Sequence, residues 1–240
     1  MIIKYLGHSA FQITTERGVD ILIDPFLKGK IESLTKVDLL LVSHGAPDHF
    51  GDTVNILRQT NAKVVCDPSL KARLMQEFNI DEARLIFTVW GWVREEMGIK
   101  IRAVENRHIS FYRSGGSYLT GLPLSFVIYL ENGLKIFHPG DTSIFSDFKL
   151  IGELYRPDVA LMPVGAAEDG FAEMSPAEAA QATLWIRPDL AIPMHYIPGD
   201  DSPDKFAQIL NLLAPEIKVI VMEPSSSLSY SKILSIKYPV

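Results

Sequence analysis

The residues with the most chemistry to offer fall in one short stretch, Ser43-His44-Gly45-Ala46-Pro47-Asp48-His49-Phe50-Gly51-Asp52. Neutral imidazole and carboxylate are the donors from which mixed nitrogen and oxygen metal sites are built. Gly45 and Pro47 bend the chain sharply, and such a bend can turn His44, Asp48 and His49 toward one point. A His-x-x-x-Asp-His pattern arises by chance roughly 0.01 times in a chain of this composition, so its presence calls for a reason. Three further candidates close other apolar runs: His108 after Ile99 to Val104, Asp141 after Lys135 to His138, and His195 after a run from Leu190. A lone histidine beside a strand is more often a packed residue than a ligand. The joint placement of these with the His44 stretch shifts that balance.

Donors placed this way need strands that end at a common edge, because ligands of α/β sheets bind beyond the carboxyl ends of the strands. Short β-branched runs predict about eleven strands, at 10–14, 19–23, 39–42, 63–66, 99–104, 124–131, 135–138, 159–163, 190–194, 219–222 and 228–231. Helices are expected at 52–59, 69–78, 175–185 and 203–213. The third has a clear start: Ser175 can cap, Pro176 takes the first helical position, and Glu178 can reach back to the cap amide. The order of elements predicts two similar β-rich halves dividing near residue 120, in one domain spanning 1–240. Gly115-Gly116-Ser117 is read as a mobile or cleft-bordering loop or as a plain surface turn, the two being equally supported. Trp90 and Trp92 are read as core or hairpin packing.

Composition narrows the function classes. The chain is 240 residues long with a formal net charge of -6, which argues against broad phosphate-backbone binding, so a nucleic-acid partner is not expected. The lone Cys66 excludes an internal disulfide and a thiolate-built zinc cluster. The stretch from Met1 to Phe11 has no apolar run of signal-peptide length, and no run reaches the 18 or so residues of a membrane span. A cytoplasmic protein with a small-molecule substrate is expected; oligomeric state is silent. Phosphate-loop, dinucleotide, nucleophile-elbow and H-E-x-x-H motifs are all absent.

Blocks spread over most of the chain resemble the metallo-β-lactamase superfamily, in the branch of lactonase-like and uncharacterised metal-dependent hydrolases. They are Leu6-Gly7-His8-Ser9-Ala10-Phe11, Ile23-Asp24-Pro25-Phe26, the His44 stretch, His138-Pro139-Gly140-Asp141-Thr142, Met174 to Ala180, and Pro193-Met194-His195-Tyr196. The resemblance implies an α/β fold, a four-layer αββα sandwich, and two adjacent metal positions. One would use His44, a second histidine and His108; the other would use Asp48, His49 and His195; Asp141 would bridge them. It places His8 and His138 in neighbouring blocks: His138 as an outer support of Asp141 or, equally, a buried strand histidine, and His8 as lining of the cleft or, with somewhat more support, a structural residue.

This chain departs from the family motif at Ala46, which stands where the second histidine belongs. The resulting expectation is one tightly held divalent ion at Asp48, His49, Asp141 and His195, zinc first and manganese or iron next, with a second ion weak or absent. Glu168 or Asp169 could serve as an extra ligand, though a solvated acidic loop is the better-supported reading. By this resemblance a metal-activated water hydrolyses an ester, lactone or phosphoester, with Asp48 or His44 as the base. The alternative is a degenerate member that binds a metal and a small ligand without turnover. A phosphodiesterase or nuclease ranks behind both on charge.

Overall fold

A computed structural model describes residues 1–29, 34, 36–165, 173–197 and 199–232. In chain order its strands are β1 (Ile2–Gly7), β2 (Ala10–Thr14), β3 (Asp20–Ile23), β4 (Leu39–Leu41), β5 (Lys63–Cys66), β6 (Leu85–Phe87), β7 (Val93–Glu96), β8 (Ile99–Val104), β9 (Ser110–Ser114), β10 (Ser117–Gly121), β11 (Ser125–Tyr129), β12 (Lys135–His138), β13 (Val159–Pro163), β14 (Leu190–Met194), β15 (Lys218–Val219) and β16 (Ser227–Ser229). The helices are α1 (Pro47–Phe50), α2 (Thr53–Gln59), α3 (Pro68–Gln76), α4 (Phe148–Tyr155), α5 (Pro176–Ile186) and α6 (Ser202–Leu213).

Two seven-stranded sheets share one plan. The first runs β16-β1-β2-β3-β4-β5-β6 and the second β15-β14-β13-β12-β11-β8-β7. In the first, β16, β1, β2 and β3 pair antiparallel and β3 to β6 pair parallel. In the second, β7, β8, β11 and β12 are antiparallel and β12 to β15 parallel. The division therefore falls between Phe87 and Val93, not near residue 120, and the last strand returns to the first sheet.

Strand alternation builds the layers. Ile21, Ile23, Leu39 and Leu41 turn inward to meet Ile101, Phe126, Ile128 and Leu161 of the other sheet. Their neighbours Leu22, Leu40 and Val64 turn outward onto Ile56 and Leu57 of α2 and Leu70 and Leu74 of α3. On the far side, Val127, Phe137, Ala160 and Met162 face Phe148 of α4, Ala179 and Ala180 of α5, and Phe206 of α6. The result is helix, sheet, sheet, helix, as the family resemblance implies. The Ser175 capping box forms as read, with both Ser175 N and Oγ donating to the Glu178 carboxylate.

The differences have local causes. β7 reads Val-Arg-Glu-Glu and sits on an edge, where charge is favoured over apolar content. The four-residue α1 replaces the expected bend after Ala46, since Pro47 is preorganised for a first helical position. Gly115 and Gly116 both take positive φ and form the tight turn of the β9–β10 hairpin, so paired glycines specify the turn here. Trp90 and Trp92 flank Gly91 in a turn before β7 and stay 41% and 45% exposed, outside the core. No described helix is long and apolar enough to cross a membrane.

Candidate metal centre

The parallel strands of both sheets deliver side chains to one edge. Asp24 follows β3, His44 follows β4, Asp141 follows β12 and His195 follows β14. His8 caps the β1–β2 turn, and Asp48 and His49 ride on α1. The two edges are stitched across the seam. His195 N donates across it to the His8 carbonyl at 2.9 Å, which also accepts from Tyr5 Oη of its own sheet at 3.0 Å, and Leu124 N donates across it to Ser43 O at 2.8 Å. Gly140 is required there, because a Cβ would sit 2.7 Å from Ser43 Cβ; at Gly165 it would collide with the His195 carbonyl. Three site residues, His8, Asp24 and His195, hold positive φ (53, 44 and 56°). Such strain in non-glycine residues persists where the surroundings over-determine it and clusters at functional sites.

Three overlapping groups of donors result among the described residues, the third being Asp141, Glu173 and His195. His8, Asp48, His49 and His195 each place a ligand atom within 4.8 Å of the others, and so do His44, His108 and Asp141. Asp141 joins the groups: its Oδ2 lies 3.0 Å from His49 Nε2, 3.1 Å from His195 Nε2 and 4.0 Å from His44 Nε2. His8 stands nearer than an outer support, its Nε2 3.0 Å from Asp48 Oδ2 and its ring 4.0 Å from that of His195. His138 does not enter the cluster. It accepts from Gly140 N and bonds the Ser9 carbonyl, so it braces the turn that carries Asp141. Ala46 is buried and brings only a methyl group. Glu168 and Asp169 lie outside the described residues.

Sequence reasoning assigned no role to Asp24 and Ser43. The buried Asp24 carboxylate accepts from Ser43 N and Ser43 Oγ, both at 2.7 Å, and from His49 Nδ1 at 2.8 Å. Ser43 Oγ in turn meets His44 Nδ1 at 3.0 Å. These contacts fix each ring with its Nε2 free, the arrangement that orients metal-ligating histidines. A signal was present: Asp24 follows its strand just as the named candidates follow theirs. Glu173 was also passed over; its carboxylate lies within 4.8 Å of donor atoms of Asp141 and His195.

Charge is distributed unevenly. Burial, reinforced by the charge on His49, pushes His44 down to about 3 against the pull of Asp141 and Asp24. Burial would also lower His49, but Asp141 and Asp24 on either side raise it well above the ordinary value. For His195, burial is again outweighed, by Asp141 and Asp48, and the ring is raised to about 9. Burial lowers His108 against the pull of Asp141 and Glu173. Burial alone would raise Asp24, Asp48 and Asp141; His49 chiefly holds Asp24 below the usual carboxylate range, His195 and His8 hold Asp48 there, and His49 and His195 hold Asp141 there.

The donor set fits a divalent cation. Five buried donors, His44 Nε2, His49 Nε2, His108 Nδ1, Asp141 Oδ1 and His195 Nε2, have no hydrogen-bond partner. Buried polar atoms without partners are costly and rare, and five in one place are accounted for by an ion that accepts their lone pairs.

A family model described as beta-lactamase superfamily domain matches residues 2–195. The chain is 37% identical to a UPF0173 metal-dependent hydrolase of Methanobrevibacter smithii, over 96% of this chain and 98% of that one. It is 36% identical to another of Rubrobacter xylanophilus, over 94% and 95%. Among solved structures it is similar to Igni18, described as a novel metallo hydrolase from the hyperthermophilic archaeon Ignicoccus hospitalis, with a TM-score of 0.81, 31% identity, and coverage of 97% and 100%.

Proposed function

Because the chain belongs to the β-lactamase superfamily, within its UPF0173 metal-dependent hydrolases, we propose that the cluster at the seam is its active site and that it hydrolyses a small ester, lactone or phosphoester. The five unpartnered buried donors carry this reading. Asp48, His49, Asp141 and His195 would hold one tight ion, zinc or else manganese or iron; this is the His49 position. His44, His108 and Asp141 would form a weaker one, the His44 position. A divalent cation so held lowers the pKa of a coordinated water from 15.7 to about 7 and polarises a carbonyl or phosphoryl oxygen.

The chain's own groups divide the remaining work. Asp24 accepts the Nδ1 hydrogen of His49 and so keeps its Nε2 turned to Asp141. Asp48 has a side chain 38% exposed, against 0% for Asp24 and 3% for Asp141, and His8 bonds its Oδ2. It is therefore placed to take a proton from water or pass one to a leaving group. His44 is fully buried and donates its Nδ1 hydrogen to Ser43, which suits a ligand better than a base exchanging protons with substrate.

The test is metal analysis of the purified chain joined to rates on aryl ester, lactone and phosphodiester panels. Expected are a retained divalent ion, turnover of at least one class, loss of turnover with a chelator and recovery on adding the ion back. A chain that takes up no zinc, manganese or iron would overturn the site reading.

A further inference from the structure

His8 is the one member of its four-residue donor group that the His49 position, as just drawn, leaves out. Its Nε2 lies 3.0 Å from Asp48 Oδ2. The same Oδ2 is 3.8 Å from His195 Nε2, which lies 3.1 Å from Asp141 Oδ2, and that oxygen is 3.0 Å from His49 Nε2. Donors that share an ion at about 2.0–2.2 Å stand about 3 to 4 Å apart. His8 Nε2 continues this series at the spacing of its members.

A residue that only supports the ligands would stand elsewhere. Asp24 meets His49 at Nδ1, the ring nitrogen opposite the one that faces Asp141, and His138 accepts from the main chain of the turn that carries Asp141. His8 instead meets Asp48 at the very oxygen that faces His195. Its ring also packs among the ligand rings, with centroids 4.0 Å from His195 and 5.8 Å from His49. The backbone aims it there: β1 shifts register between Tyr5 and Gly7, His8 takes a φ of 53°, and its carbonyl is pinned by His195 N and Tyr5 Oη. Resting on the reading of the seam as a metal site, we propose that His8 is itself a metal ligand, through Nε2, at the His49 position. The neutral ring then carries its hydrogen on Nδ1, and with the side chain 24% exposed that hydrogen can go to water. The position becomes a set of three imidazoles and two carboxylates. Five protein donors are one more than a tetrahedral zinc site takes, and such a mixed set suits manganese or iron.

The assignment is tested on the full-length protein labelled with ¹⁵N in its histidine rings and loaded with one equivalent of Zn²⁺. Correlation of the ring nitrogens with the carbon-bound ring protons separates metal-bound nitrogens from protonated and free ones. The wild type should show three rings with a bound nitrogen, those of His8, His49 and His195. His8→Asn, a shorter side chain that tolerates the same left-handed backbone, should show two. Two outcomes overturn this assignment alone: a wild type that binds zinc through two of its rings only, or a His8→Asn protein that keeps all three bound signals. The first needs no variant, so it stands whether or not His8→Asn folds. A wild type that binds no ion brings down the site reading and this assignment together.

Discussion

His44 and His49 sit on one stretch of chain, both fully buried, with ring centroids 4.2 Å apart. Yet burial pushes the pKa of His44 down to about 3, while Asp24 and Asp141 on either side raise that of His49. What separates them is the group behind each ring. His49 Nδ1 meets the Asp24 carboxylate directly at 2.8 Å, whereas His44 Nδ1 meets a hydroxyl, Ser43 Oγ, at 3.0 Å. An anionic partner makes the imidazole a stronger base and a stronger ligand. The two proposed positions would therefore differ in grade: one is backed by charge and has a full set of donors, the other is backed by a neutral group and lacks an imidazole at Ala46.

The largest effect should come from the residue both positions share. Asp141→Ala removes a donor from each, and its loss should exceed the roughly 100-fold that marks the upper end for groups behind the ligands. Metal content and turnover should both fall below detection in a chain that still folds by circular dichroism. Retention of one ion at wild-type affinity would show that the positions do not depend on a common carboxylate.

Next is Asp24→Asn, which removes the charge behind His49 and keeps the shape. Apparent affinity at the His49 position should drop about 10- to 100-fold, the range for such partners, with a smaller change at the His44 position. Equal losses at both would erase the difference in grade.

Much of this was legible in the sequence, for physical reasons. Strand ends are marked by the switch from β-branched runs to polar residues, so His44, Asp141 and His195 were identifiable as edge residues; the order of elements gave two β-rich halves, and the αββα layering came from the family resemblance. The α5 start was legible because a capping box is local chemistry. What was missed is non-local or short. Asp24 and Ser43 act through contacts that exist only once β3 and β4 lie side by side. The polar edge strand β7 lacks an apolar signature, and the four residues of α1 are too few to show a period. Glu173 becomes a candidate ligand only when the segment before α5 is folded against the end of β14.

A change of pH should act on the same contrast. Folding raises His195 from its usual 6.5 to about 9, so its share of the metal-free protein's stability is fully present below about 6.5 and is lost as pH climbs through 9. His49 is raised too, which gives the same sign. His44 is lowered and titrates only on the acid side, so it does not oppose this trend. The metal-free chain should therefore melt at lower temperature at pH 9 than at pH 7. Metal affinity at the His49 position should rise over that window by up to about tenfold per pH unit for each proton displaced. Scanning calorimetry and metal titrations at matched pH would show it. A metal affinity independent of pH between 7 and 9 would mean the rings are already neutral.

The smallest effect is expected from Ser43→Ala, and it tests the comparison most finely. The Ser43 hydroxyl stands between His44 Nδ1 and Asp24 Oδ2, so it is both the prop of His44 and one of three donors to Asp24. Removing it costs one neutral hydrogen bond to His44, roughly 0.5–1.5 kcal/mol or about 2- to 10-fold at the His44 position. Asp24 keeps Ser43 N and His49, so the His49 position should change less than that. If instead Ser43→Ala matches Asp24→Asn at the His44 position, the hydroxyl is transmitting the charge of Asp24 to His44 as well. The two rings would then share one carboxylate, and the difference in grade would rest on Ala46 alone.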